Sequence, residues 1–219
     1  INNSQINDNE GSYGGGIYSQ RDSSFILTNV SVSRDSSIQS GGGIYFDDLL
    51  NPAIITNSIF DDNRSEKYGS GIQSDRSSLI INNSTFSNNK GYDGNGGTAI
   101  RYIGTPNKRD TLSVSNSIFF KNISKSGSGA IRIEQSNDGY INFTNVLIAR
   151  NETIVGSASG LFVYDANGNT DIYINNCTVT QNIGGQAVSR VGGGSTNKKI
   201  INSIVWGNSS SIDHVGGFD

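Results

Sequence analysis

The chain has 219 residues, a formal net charge of −3 and only 33% hydrophobic residues. This charge gives no basic footprint for a nucleic acid, and no apolar run approaches the roughly 20 residues of a membrane-spanning helix. The composition does not change along the chain, so residues 1–219 are predicted to form a single domain. Because there is no methionine and no signal-peptide pattern at Ile1, we expect this domain to be a segment of a longer chain.

A seven-residue phrase that usually begins and ends in asparagine recurs along the sequence. Its first asparagines, 26 to 33 residues apart, are Asn3, Asn29, Asn57, Asn83, Asn116, Asn145, Asn176 and Asn202. A repeat of this length indicates a solenoid, in which each coil buries only a few side chains against its neighbours. Asparagine tolerates left-handed backbone and can bond the asparagine one coil away. We therefore predict that these first asparagines turn corners and form an internal ladder.

Short runs with a period of two precede these asparagines and predict a first strand in each coil. The runs cover residues 25–28, 53–56, 79–82, 112–115, 141–144 and 172–175. A second strand follows the asparagine, with inward residues Val32, Phe60, Phe86, Phe119, Ile148, Val179 and Val205. A variable loop and a glycine-small-apolar signal, such as Gly42-Gly43-Ile44, lead to a third strand. The prediction is an all-β parallel β-helix of about eight coils with three short strands per coil.

Two motifs within the repeats resemble those of a known class of protein. Phe60-Asp61-Asp62-Asn63 and Phe86-Ser87-Asn88-Asn89 have the form Phe-x-x-Asn, and Gly129-Ala130-Ile131 is close to Gly-Gly-Ala-Ile. The repeats are thus similar to those of the pectate-lyase-like superfamily, and more narrowly resemble polymorphic-outer-membrane-protein-type repeats of bacterial surface adhesins. The resemblance implies a right-handed β-helix and an extracellular or cell-surface location. It implies no chemistry, because β-helices include lyases, hydrolases and inert stalks alike.

The outward side of the third strand collects residues that often contact sugars, and we call it the Tyr/Arg/acid face. Its candidate ligand-binding residues are Tyr18, Tyr45, Arg101, Arg132 and Tyr164. Its weaker catalytic candidates are Asp47, Asp75 and Glu134. Coils lie about 4.8 Å apart, so Asp47 and Asp75 could approach the roughly 5 Å carboxylate separation of a retaining glycosidase. The interpretation favoured over such a site is a solvated face whose side chains satisfy one another.

The remaining candidates are weaker. No metal site or cofactor is predicted, although the acids of the Tyr/Arg/acid face could bind Ca²⁺. His214 is the only histidine, which excludes histidine triads and His-rich zinc sites, and we interpret it as a surface residue. Cys177 is predicted to be buried and structural. An apolar outward column containing Ile59, Ile118 and Ile204 is predicted to be covered by loops, the alternative being a docking surface for another domain or chain.

Two functions remain open from the sequence. The preferred hypothesis is a non-enzymatic extracellular or cell-surface segment that serves as an adhesin, stalk or glycan-binding module. Its expected partners are a polysaccharide or surface glycan and the flanking domains of a longer chain. The alternative is a polysaccharide lyase or glycoside hydrolase that acts on an acidic polysaccharide along the Tyr/Arg/acid face.

Overall fold

The computed structural model describes residues 1–92, 96–106, 108–135, 138–166, 169–192, 197–209 and 215–216. In this part of the chain the regular secondary structure is all β, and every strand pair is parallel. The strands stack into three sheets that form a parallel β-solenoid of about seven turns, against about eight predicted. The described residues include no helix long and apolar enough to cross a membrane.

Two of the sheets contain one strand from each coil. The first sheet consists of Phe25–Thr28, Ala53–Thr56, Leu79–Asn82, Thr111–Ser115, Tyr140–Thr144, Asp171–Asn175 and Lys198–Ile201. The second consists of Gln5–Asn7, Ser31–Ser33, Ile59–Asp61, Thr85–Ser87, Ile118–Phe120, Leu147–Ala149, Thr178–Thr180 and Ile204–Trp206. The predicted first strands match within one residue at each end, because strict alternation marks them clearly.

The third sheet has two arms, joined by the long strand Glu152–Asp165. The first arm also contains Glu10–Tyr13, Ser36–Ser40, Arg64–Ser65, Lys90–Gly91 and Ile123–Ser128. The second contains Ile17–Gln20, Ile44–Asp47, Ile72–Asp75, Ile100–Ile103, Ile131–Gln135, Gln186–Val191 and Val215–Gly216. The second arm is the predicted third strand. The first arm lies where the sequence suggested only a variable loop, so this segment also pairs from coil to coil.

The core is a set of columns that run along the solenoid axis. Phe60, Phe86 and Phe119 are fully buried, and their rings stack with centroids 4.6 and 4.9 Å apart and planes inclined by 5°. The predicted inward residues of the first two strands are buried, except that Val205 in the last coil is only partly buried. Cys177 is buried, as predicted.

The eight first asparagines turn the corner between the first and second sheets. All eight have left-handed backbone, with φ between 47° and 55°. The prediction of an internal ladder at these positions is wrong, because all eight residues are exposed. Their amides bond only in part: Asn29 donates to Asn3 and Asn83 to Asn57, whereas Asn116 donates to Asn82 instead. A left-handed corner points its side chain away from the core, which explains why the amides remain in solvent.

The internal ladder is formed by the last residue of each phrase. Asn63, Asn89, Asn122 and Asn151 are completely buried. The Nδ2 of Asn89 donates to Oδ1 of Asn122 at 2.8 Å and to the carbonyl of Phe60 at 3.0 Å. Each amide therefore joins its own coil to both neighbouring coils. The seven-residue phrase therefore does form an internal ladder, but through its last asparagine and not through its first.

Asp35 occupies the ladder position of the second coil and is completely buried. Its Oδ1 accepts hydrogen bonds from the backbone N and the Nδ2 of Asn9, at 2.9 and 2.8 Å. Its Oδ2, at the position of the donating NH₂ of an asparagine, has no hydrogen-bond partner among the described residues. Burial raises the pKa of Asp35, although the hydrogen bonds from Asn9 oppose this. The ladder is therefore incomplete at this residue.

We predict that Asp35→Asn stabilises the protein by about 1–3 kcal/mol at neutral pH, because the amide restores a buried donor. A raised pKa means that the folded state holds the proton more tightly. The contribution of Asp35 is therefore fully present below about pH 4 and is lost as the pH rises through the folded-state pKa. Urea unfolding at acidic and neutral pH should show a larger gain at neutral pH. An equal gain at both would contradict the protonation argument.

Candidate functional site

The Tyr/Arg/acid face has the predicted register. One outward column pairs Tyr18, Tyr45, Gln73, Arg101, Arg132, Phe162 and Ser189 from coil to coil. The other pairs Gln20, Asp47, Asp75, Ile103, Glu134, Tyr164 and Val191. All eight candidate residues of this face therefore belong to two adjacent columns. Their exposure and partners differ from one end of the face to the other.

The N-terminal end of the face is an aromatic platform of Tyr13, Tyr18 and Tyr45. The ring of Tyr45 lies 5.5 Å from that of Tyr13 and 5.4 Å from that of Tyr18. Tyr13 and Tyr18 are 49% and 48% exposed, so they present ring surface to solvent. Burial and the nearby Asp47 raise the pKa of Tyr18, and burial with the hydrogen bond to Asp75 raises that of Tyr45. These phenols are therefore neutral polar groups on flat rings, which suits contact with sugars.

The two arginines of the face are held by one carboxylate. Glu134 Oε1 accepts from Nη2 of Arg101 at 2.8 Å and from Nε of Arg132 at 2.7 Å. Burial alone would raise the pKa of Glu134, but the hydrogen bonds and charges of the two arginines outweigh it, and its pKa is lowered. Glu134 is therefore an anion that neutralises Arg101 and Arg132, and it is unsuited to act as a general acid.

Aromatic rings cover the same arginines. The guanidinium of Arg101 lies 4.1 Å from the ring centroid of Tyr68, and that of Arg132 lies 4.7 Å from Phe162. Arg101 is only 8% exposed. These contacts use the charge and the flat side of each guanidinium within the protein. This arrangement agrees with the interpretation, made from the sequence, of a face whose side chains satisfy one another's charges and hydrogen bonds.

The two aspartates are also engaged by neighbours. Asp47 accepts a hydrogen bond from Gln20 at 2.6 Å and forms an ion pair with Arg76. Asp75 accepts from the hydroxyl of Tyr45 at 2.7 Å and from Gln73. Tyr164, the last candidate, is 43% exposed at the far end of the column. Asp47 is thus engaged by Gln20 and Arg76, Asp75 by Tyr45 and Gln73, and Glu134 by the two arginines.

Two further sequence interpretations concern metals and the histidine. Within the described residues, no group of three or more His, Cys, Asp and Glu side chains could hold a metal ion. Asp47, Asp75 and Glu134, the acids considered for Ca²⁺, therefore belong to no such group among the described residues. His214 lies outside the described residues.

The apolar outward column of the second sheet is not covered by loops, contrary to the prediction. Ile59, Ile118 and Ile204 are 49%, 41% and 61% exposed. Two shallow grooves of about 310 and 400 Å³ run beside this column, next to the corner asparagines. The corners between the first two sheets are single left-handed residues, so no loop arises there that could fold over the column.

The outward face of the first arm was not predicted from the sequence. Its inward positions hold small buried residues, namely Ser37, Ser65, Ser124 and Thr153. Larger side chains flank each of them and point outward, as in Lys90 and Tyr92 around Gly91. The sequence signal for this strand was a small residue two positions after each ladder asparagine. The alternation of outward and inward residues covers only three positions, which is too short to recognise beside a variable loop.

Three cations at and beside this arm form what we call the basic corner: Lys121 and Arg150 at corners of the chain, and Lys125 on the strand Ile123–Ser128. Among the described residues, eleven of the sixteen lysines and arginines form an ion pair, and these three are among the five that do not, the other two being Lys67 and Lys199. Lys121 and Arg150 occupy equivalent left-handed corners of adjacent coils. Their charged groups lie 5.1 and 5.7 Å from the ring of Phe120.

Two grooves meet at the basic corner. One of about 430 Å³ is lined by Lys121, Arg150, Lys90, Ile123 and Glu152, with Asp61, Asp62 and Asn88 at its other end. The other, of about 320 Å³, is lined by Lys90, Gly91, Tyr92, Ile123, Lys125 and Ile154. Because Lys90 and Ile123 line both grooves, the two grooves adjoin each other.

The acids of the first groove are distributed unevenly. Asp62 bonds Lys90 at 3.1 Å and Arg64 at 3.5 Å, and Asp61 accepts from Ser87 and Asn88. These acids belong to coils on the N-terminal side of the basic corner. Among the described lining residues, Glu152 is the acid that shares the coils of Lys121 and Arg150. Positive charge therefore predominates at that end of the groove.

No protein-family model, curated protein or solved structure was found to match this chain.

Proposed function

We propose that this chain is a non-enzymatic extracellular or cell-surface solenoid segment that serves as an adhesin or stalk and binds glycans. The observation that carries the proposal is the engagement of all three candidate acids. Asp47, Asp75 and Glu134 each accept hydrogen bonds from neighbouring side chains, and two of them are ion-paired. A glycosidase requires one carboxylic acid that stays protonated, and the lowered pKa of Glu134 opposes that role.

Glycan binding is supported by the aromatic platform of Tyr13, Tyr18 and Tyr45. Tyrosine combines a flat apolar ring with a polar hydroxyl and loses little conformational entropy on binding, so a cluster of exposed rings suits sugar faces. The motif resemblance to polymorphic-outer-membrane-protein-type repeats supports a surface location and an adhesive role. A partner from the flanking parts of a longer chain belongs to the same proposal.

We expect the purified protein to bind members of a glycan array and to release no product from pectins, alginates or glycosaminoglycans. Binding is measured on the array, and turnover by the appearance of reducing ends or unsaturated uronides. The rival lyase or hydrolase predicts turnover that Asp47→Asn abolishes. Such turnover, or an array on which nothing binds, would refute the proposed function.

A further inference from the structure

We infer that the basic corner is a binding site for an acidic polysaccharide, whose uronate or sulfate groups contact Lys121, Lys125 and Arg150. This site is separate from the Tyr/Arg/acid face on which the sequence placed its ligand-binding candidates. The inference rests on the proposed glycan-binding role and names the class of glycan and the residues that would recognise it.

The first argument is electrostatic. The chain carries a net negative charge, and most of its cations are ion-paired. Three cations without an ion-pair partner among the described residues instead lie on two adjacent coils, and the like charges of Lys121 and Arg150, at equivalent corners, repel one another. An anionic ligand would relieve that repulsion. Arginine in particular forms forked hydrogen bonds with planar or tetrahedral oxyanions.

The second argument is the shape of the surface. The register places Tyr92, Lys125 and Ile154 on successive coils of the first arm, so charged and apolar side chains alternate along the axis. Tyr92 is 47% exposed and Ile154 is 62% exposed. Coils repeat about every 4.8 Å, which is close to the length of one sugar ring. A linear polysaccharide along the axis could thus meet a new coil with each sugar.

The groove favours a glycan over an acidic peptide. Extended peptides gain affinity by adding a strand to an exposed sheet edge through main-chain hydrogen bonds. In the basic corner, Lys125 lies on a strand that is already paired on both sides, and Lys121 and Arg150 lie at corners between paired strands, so the described strands leave no free sheet edge there. A peptide would obtain only side-chain contacts there, whereas a polysaccharide requires nothing else.

The test is the variant Lys121→Gln/Arg150→Gln in the otherwise unchanged chain. Gln181 occupies the same left-handed corner one coil further on, with φ of 56°, so glutamine suits both positions. The matched control is Arg21→Gln/Lys199→Gln, which also removes one arginine charge and one lysine charge, but at positions outside the basic corner. Arg21 is also an exposed left-handed residue, with φ of 54°. Circular dichroism and thermal unfolding verify that both variants are folded.

Calorimetric titration compares polygalacturonate, dextran sulfate, neutral dextran and polyglutamate as ligands. We expect the wild type and the control to bind polygalacturonate or dextran sulfate more tightly than dextran, and more weakly at high salt. The test variant should lose at least about tenfold in affinity, the usual scale for a charged hydrogen bond. The first two ligands separate recognition of carboxylate from recognition of sulfate.

Equal affinity of the test variant and the control would overturn the inference, as would polyglutamate binding as tightly as the acidic glycans. A protein that binds only neutral glycans on the array would refute the acidic-polysaccharide site while leaving the proposed function intact. A protein that binds no glycan at all would refute both.

Discussion

Replacing Phe86 with alanine should lower the free energy of unfolding by about 3–5 kcal/mol, the usual cost of deleting a fully buried phenylalanine. Phe86 is the middle ring of three, and its neighbours Phe60 and Phe119 stack on both of its faces. Each of the three rings belongs to a different coil, so the cavity left at Phe86 would remove packing contacts with both neighbouring coils. Chemical denaturation followed by circular dichroism measures the loss.

Phe120→Ala is the matched control for this variant. Phe120 follows Phe119 directly, but its side chain points outward and is only partly buried. We expect it to lose no more than about 1 kcal/mol, as is usual for substitutions near the surface. Equal losses for the two variants would mean that the Phe60, Phe86 and Phe119 stack is not the core of the solenoid.

The second large effect is expected at the internal ladder. Asn89→Ala should destabilise the protein by about 2–4 kcal/mol, because a buried polar group left without a partner costs about 1–3 kcal/mol. The side chain of Asn89 accepts from the backbone N of Asn63 at 3.1 Å and donates to the carbonyl of Phe60 at 3.0 Å. Both groups would lose this partner in the variant. Equilibrium unfolding in urea measures the difference.

Asn83→Gly tests the other end of the same phrase. Asn83 is exposed and has φ of 50°, a conformation that glycine adopts without strain. The variant loses only an exposed hydrogen bond to Asn57 and should cost less than about 1 kcal/mol. If Asn83→Gly were as destabilising as Asn89→Ala, the assignment of the internal ladder to the last asparagine would be wrong.

The two asparagine substitutions, Asn89→Ala and Asn83→Gly, separate two roles within one motif. The first asparagine provides a backbone conformation, which glycine can reproduce. The last asparagine provides a buried donor and acceptor, which no apolar residue can reproduce. Asp35 shows the same distinction within the natural sequence, since a carboxylate keeps the shape of the ladder residue but loses its donor.

The fold of each coil could be predicted from the sequence alone. The repeat interval, the period-two runs before Asn57 and Asn83, and the inward column through Phe60 and Phe86 were sufficient for a parallel β-solenoid and for its register. The reason is that each coil repeats the same local pattern, so local and tertiary structure agree. The Tyr/Arg/acid face was predictable for the same reason, because register follows directly from the repeat.

The partners of the side chains on the Tyr/Arg/acid face could be read only from the tertiary structure. Glu134 neutralises Arg101 and Arg132 because two neighbouring coils bring them together, and no local pattern encodes which partner a side chain chooses. The basic corner was not visible in the sequence because Lys121, Lys125 and Arg150 come from the edges of a variable segment. Whether an asparagine is buried likewise depends on which way the corner before it turns. The sequence therefore determined the scaffold, and the packing between coils determined which of its surfaces remain available to bind.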